Sequence, residues 1–171
     1  MPKSDAKARI LERVEREKVK FLRLQFTDIL GQVKNVEVPN GRVAEALDGH
    51  VLFDGSSIEG FVRIEESDMF LQPDLATFQV FPWTYNGAEC VARIICDITA
   101  PDGSPFAGCP RSALKRAVAY AAAKGYTLRA MPEAEFFLFQ RSSGEPTTET
   151  HDAGGYFDLT PIDLGEDVRR E

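Results

Sequence analysis

The sequence predicts an α+β protein, a sheet domain with helices followed by a second stretch of helix and strand. Three observations carry that expectation. Apolar residues recur at helical spacing near the amino terminus, they alternate with polar residues through several later runs, and prolines and glycines cluster between residues 99 and 110.

The first element is a helix that Ser4 is placed to cap, with Ile10, Leu11 and Val14 on one face and its end near Glu17. The period then changes to two. VKFLRLQF sets Leu22, Leu24 and Phe26 on one face of a strand, TDILG supplies a turn, and QVKNVEV returns as its partner in a hairpin. Pro39, Asn40 and Gly41 close it. A short helix around Val43 to Leu47 stops at Asp48 and Gly49, and extended runs follow at HVLF, TFQVFPW and AECVARIICDI, with Trp83 and the phenylalanines of FQVFPW expected in the core. Hairpin, helix and further strands make a small sheet with a helix packed across it. TAPDGSPFAGCP then divides the chain into residues 1–104 and 105–171. Beyond it, RSALKRAVAYAAAK is a helix that begins at Pro110 and ends at Gly125, YTLRAMPEAEFFLF reads as a strand, and Arg141 to Gly155 as a polar loop. YFDLTP reads as a short strand, and DLGEDVRRE as a helix with acidic residues in its first turn.

At 43% hydrophobic and 10% aromatic residues, the 171-residue chain has the composition of a globular protein, not of a disordered one. Its 20 Lys+Arg against 27 Asp+Glu leave a formal charge of -7, and no basic stripe interleaves with aromatics, so nucleic acid is excluded as the main partner. MPKSDAKARI lacks the apolar core of a secretory signal and AVAYAAA is far too short to span a bilayer, so a cytoplasmic protein with no membrane partner is expected. Cys90, Cys96 and Cys109 are odd in number and form no C-x-x-C pair, which predicts buried reduced thiols. His50 and His151 lack ligand spacing to one another and read as loop residues.

The chemistry concentrates in two places. In MPEAEFFLFQ, Glu133 and Glu135 stand two residues apart, so a strand would point both to one face. Their α-carbons would lie roughly 6.6 Å apart, and at an effective dielectric near 20 their repulsion is on the order of 2 to 3 kcal/mol. Exposed to water that cost largely disappears, and the pair is then the acidic face of an edge strand. Buried, it reads as part of a divalent cation site, because hard ions such as Mg²⁺ or Mn²⁺ take carboxylate oxygens. The apolar FFLF that follows leaves the strand no polar face, which predicts burial on both sides and favours the site. The second place is VLFDGSSIEGF, where Asp54 precedes a Gly-Ser-Ser loop. This is not a phosphate loop, since G-x-x-x-x-G-K-[ST] is absent, and the local reading is a turn in which Asp54 accepts backbone N–H bonds.

FTDILGQVKNVEVP, FDGSSIEGFVRIEESDMFLQPD, PEAEFFLF and GGYFDLTPIDLGEDVRRE follow one another in an order that resembles the N-terminal part of type I glutamine synthetases. The resemblance covers nearly the whole chain. It implies a β-grasp (ubiquitin-like) domain over residues 1–104 and the start of an α+β catalytic domain, left incomplete, over 105–171. It also implies a homo-oligomer, in rings whose active sites lie between the N-terminal domain of one subunit and the catalytic domain of the next. Glutamate, ammonia and ATP would be the substrates and Mg²⁺ or Mn²⁺ the cofactor. Residue by residue, the resemblance makes Glu133 and Glu135 ligands of two different divalent ions, at the ATP and glutamate sites. Asp54 becomes the carboxylate of an ammonium pocket contributed to a neighbouring subunit, with Ser57 and Tyr156 lining that pocket. Arg63 matches a position linked to glutamine feedback, and it also reads as a surface arginine paired with Glu65 or Glu66. Family members run to more than twice this length, and the downstream glutamates, histidine, arginines and covering loop are missing here. The chain alone is therefore expected to lack synthetase activity, and its uncovered apolar surface to favour aggregation or partner binding. Two alternatives stand beside this reading: a non-catalytic β-grasp module that associates with full-length subunits, and part of a ligase for another amine.

Overall fold

The computed structural model describes residues 3–58, 68–83 and 90–170. They fall into two compact units, Met1–Leu128 and Arg129–Glu171. The fold is mixed α+β.

The first unit begins with helix α1 (Lys3–Arg16), whose Ile10 and Val14 are buried at the helical spacing read from the sequence. Ser4 lies inside its first turn instead of capping it, because the helix starts one residue earlier, and its hydroxyl donates to Asp5 Oδ1 at 3.3 Å. Strand β1 (Val19–Thr27) buries Leu22, Leu24 and Phe26 on alternate positions and pairs antiparallel with β2 (Val33–Pro39), Leu24 opposite Val36. Asp28 shapes the turn between them: its Oδ1 accepts the amides of Leu30 and Gln32, each at 2.9 Å. Helix α2 (Val43–Leu47) follows a 3-10 turn and buries Val43, Ala46 and Leu47. It ends at Gly49, whose φ of +86° is open to glycine and strained for any side chain.

The remaining strands complete a six-stranded sheet ordered β2-β1-β6-β4-β3, with β5 on the same side of β6 as β4. These are β3 (Val51–Asp54), β4 (Asp68–Pro73), β5 (Gln79–Val80) and β6 (Cys90–Thr99). β1 and β6 run parallel at the centre and every other pair is antiparallel. Alternation along the strands puts Leu22, Leu24, Leu71, Ile94 and Ile98 into one cluster with the apolar faces of α1 and α2. Strand β4 is absent from the sequence reading, since its two buried residues, Met69 and Leu71, are too few to stand out among Asp68, Gln72 and Pro73. The core assignment of Trp83 is corrected: Gln79 and Val80 pair with β6 and Phe81 N donates to Val91 O at 3.0 Å, after which the chain leaves the strand, and Trp83 is 52% exposed and stacks on Phe81. Cys96 and Cys109 are buried, Cys90 is half-buried and all three are free; burial pushes the Cys96 thiol up to about 12. Helix α3 (Pro110–Ala123) starts at its proline as expected, and Cys109 and Ser112 fix that end while most of the helix stays exposed.

In the second unit the sequence reading is corrected three times. The expected strand YTLRAMPEAEFFLF has no regular structure from Tyr126 to Leu138, and the expected burial of its apolar run is absent, Phe136 being 54% and Phe137 79% exposed. A strand requires a neighbour for its backbone N–H and C=O groups, and among the described residues this segment enters no strand ladder; His151 N donating to Leu138 O at 2.7 Å ties only its end to the hairpin that follows. The expected loop instead holds a hairpin of β7 (Phe139–Ser142) and β8 (Glu145–Thr150). YFDLTP forms turns, with Asp158 N donating to Gly155 O and Ile162 N to Leu159 O. Helix α4 (Glu166–Arg170) carries Glu166 and Asp167 in its first turn and two arginines in its last, the arrangement that complements a helix dipole. No described helix is long and apolar enough to cross a membrane.

Candidate functional site

Asp54 closes β3, opposite Asp68 of β4. The strand is held by Val51 in the core and by Phe53, whose ring lies 5.0 Å from that of Phe26, so the next residue is carried outward to an exposed position. There the chain turns into a 3-10 turn, Gly55–Ser57, and the Asp54 carboxylate caps it. Oδ1 accepts the Ser56 amide at 2.9 Å and the Ser56 hydroxyl at 2.6 Å, while Oδ2 accepts the Ser57 hydroxyl at 3.2 Å. The hydrogen bond from the Ser56 side chain, then that from its amide, hold this carboxyl below the usual range. The turn reading therefore holds, and Asp54 is a solvent-facing carboxylate whose lone pairs are only partly used. Ser57 is exposed and tied to it. Arg63 lies outside the described residues.

The other candidates belong to the second unit. Glu133 and Glu135 are exposed and carry no ion pair among the described residues; they are not the in-facing pair of a buried strand. Their oxygens are the right donor type for Mg²⁺ or Mn²⁺, yet no group of three or more His, Cys, Asp or Glu able to hold a metal occurs among the described residues. Two carboxylates do not make a complete site for an ion that takes about six ligands. Tyr156 is 94% exposed, with Phe157 edge-on to its ring at 4.5 Å. Both rings border a concavity of about 350 Å³ shared with Asp158, Asp163 and Arg169.

Two aspartates that the sequence reading passed over organise this unit. Asp163 is 7% exposed, its Oδ1 accepting Gly165 N at 2.8 Å and Arg169 Nη1 at 3.2 Å, with a second contact from Oδ2 to the same guanidinium. The Arg169 hydrogen bond and the Gly165 amide hold its carboxyl below the usual range. Asp152 ties Gly154 N at 3.1 Å to Leu164 N at 2.6 Å, so one side chain joins two loops that are distant in sequence. Asp two residues before Gly, in D-A-G and D-L-G, is the local signal that could have marked both as turn formers. They line a pocket of about 220 Å³ together with Phe136, Phe137 and Gly154.

Known proteins resemble the chain along almost its whole length. Residues 18–101 match a family model described as the glutamine synthetase β-grasp domain, and residues 107–171 one described as the glutamine synthetase catalytic domain. A glutamine synthetase of Thermus thermophilus is 58% identical over 169 residues, and one of Staphylococcus epidermidis is 56% identical over 174. These alignments take in 96% and 100% of this chain but 38% and 39% of those relatives, so the chain spans well under half their length. Among solved structures, the ADP complex of GmaS superposes with a TM-score of 0.59 at 26% identity, covering 67% of this chain and 25% of that one. Plasmodium falciparum glutamine synthetase superposes with a TM-score of 0.61 at 24% identity, covering 70% of this chain and 23% of that one, a likeness of fold.

Proposed function

The chain belongs to the glutamine synthetase family, and from that premise we propose that it supplies the amino-terminal part of an ATP-dependent ligase that joins ammonia to glutamate through γ-glutamyl phosphate. The observation that carries the proposal is the Asp54 turn: an exposed carboxylate that accepts hydrogen bonds from Ser56 and Ser57, at the end of a strand in the matched β-grasp domain.

Asp54 attracts NH₄⁺ by charge. A carboxylate with an ordinary pKa near 4 is a weak base for ammonium, and one held lower is weaker still, so it takes the proton only as the ammonia released is consumed by attack on the acyl phosphate. Ser57 donates its proton to Asp54, which leaves its oxygen free to accept an N–H of the same ammonium. We assign Tyr156 to the same ammonium site in the assembled enzyme, its phenol contributed from the neighbouring subunit. An exposed Asp54 suits a site completed by a neighbouring subunit, hence a homo-oligomer, and a cytoplasmic location suits the substrates. Glu133 and Glu135 donate to two divalent ions only when carboxylates from further residues complete each site; when bound, such ions neutralise phosphate charge and orient the acceptor carboxylate.

This reading requires that the 171-residue chain alone be inactive and that Asp54 govern ammonium use in a complete enzyme. Purified chain supplied with glutamate, ammonium, ATP and Mg²⁺ or Mn²⁺ is expected to form no γ-glutamyl product. In the complete enzyme, Asp54→Asn is expected to raise the KM for ammonium and leave the KM for ATP unchanged. An unaltered ammonium KM overturns the assignment.

A further inference from the structure

Asp54 sits at the tip of an arm, and the arm has a narrow root. Among the described residues β3 hydrogen-bonds to no strand but β4, so the backbone ladder that ends at Asp54 joins the rest of the sheet through β4, with the Phe53 ring on Phe26 as a side-chain contact to β1. β4 in turn pairs with β6 over four residues, from Phe70 opposite Thr99 to Pro73 opposite Cys96. Asp54 and its partner Asp68 lie past the last of those pairs. A short ladder leaves the direction of such an arm to whatever fixes its root.

That root is gripped by one side chain of α3. Arg111 Nη2 donates to Asp74 Oδ2 at 2.6 Å, at the end of β4, and Nη1 donates to Asp97 Oδ1 at 2.8 Å, on β6 opposite Gln72. Lys115, one turn further along α3, holds the other oxygen of Asp97. Asp74 is itself seated firmly: its amide donates to Ile95 O at 2.8 Å, and its carbonyl accepts the Thr77 hydroxyl at 2.7 Å, which in turn accepts Ile95 N. The Arg111 fork is 23% exposed, partly shielded from water, and its hydrogen bond holds the Asp74 carboxyl below the usual range against the opposing effect of burial. A planar guanidinium spanning a carboxylate on β6 and one just past the end of β4 fixes their spacing and their angle to the helix, which a point charge cannot do.

We propose that Arg111 is a positioning residue for Asp54: by locking the β4 and β6 root to α3, the first helix of the matched catalytic domain, it sets where the ammonium-binding carboxylate is presented. The role in catalysis rests on the reading of Asp54 given above; the mechanical link does not. Two measurements separate them. In the full chain, Arg111→Met is expected to speed amide exchange about tenfold along β3, β4 and the Gly55–Ser57 turn while β1 and β2 keep their protection. Arg111→Lys restores it in part, and Asp74→Asn reproduces the Met variant. Unchanged exchange in the arm, or equal acceleration in β1, overturns the inference. In the complete enzyme, Arg111→Met raises the KM for ammonium and spares that for ATP, with Arg111→Lys between. If Asp54→Asn raises the ammonium KM and Arg111→Met does not, Arg111 has no positioning role. If Asp54→Asn itself has no effect, the fault lies in the reading of Asp54, and arm exchange still decides the link.

Discussion

Residues Met1–Leu128 and Arg129–Glu171 are held together by different forces. In the first, the sheet and helices enclose Leu22, Leu24, Leu47, Leu71, Ile94 and Ile98, each buried completely or nearly so. In the second, Asp163 is the one buried side chain larger than glycine among the described residues, while Met131, Phe137, Tyr156 and Phe157 are each at least 79% exposed. Hydrophobic burial orders the one; aspartate side chains bonded to backbone amides and to an arginine order the other. Similar apolar runs thus have opposite fates, because an apolar strand is stable only where a neighbour supplies both backbone partners and a covering face.

The sharpest way to break this contrast is to remove a side chain from each region. Leu71→Ala should cost about 2–5 kcal/mol in urea unfolding, whereas Phe137→Ser should change stability by no more than about 0.5 kcal/mol. Equal costs would mean that the second unit has a core after all. Acid offers the next test. Asp163 and Asp74 both have depressed folded pKa values, so their stabilisation is complete above the unfolded value near 4 and is lost as pH falls through the folded ones. Amide exchange at Gly165, whose N–H Asp163 accepts, should therefore quicken below about pH 4 while the amides of β1 stay protected by an apolar core that does not titrate. A smaller effect is expected at Gly49: alanine there adopts a left-handed backbone and meets the Gln72 side-chain amide, which should destabilise the first unit by about 1–2 kcal/mol and leave the second unchanged. The smallest effect has the opposite sign. Thr99 Oγ1 is buried with no hydrogen-bond partner among the described residues, so Thr99→Val should raise the urea midpoint, by up to about 1 kcal/mol of stability.

The helix through Val14, the β1 and β2 hairpin, the short helix at Val43 and the start of α3 at Pro110 were all legible, because each is signalled by residues within one or two turns of itself. β4 was not, since its place in the middle of the sheet half comes from pairing with β3 and β6 and not from its own composition. Asp54 was legible as a turn former by local rules, and the geometry has its carboxylate accepting the Ser56 amide and hydroxyl. The Arg111 fork was invisible, because its partners lie 37 and 14 residues away and no local pattern links them.

By itself the sequence determined the α+β class, the helices, the hairpin of β1 and β2 and the family, since periodicity, turn residues and long motifs are properties of neighbouring positions. Only the tertiary structure decided which apolar runs are covered, which strand lies between β3 and β6, and what grips the root of the arm that bears Asp54. Those depend on groups far apart in sequence meeting in space, where burial and charge pairing act on the folded chain as a whole.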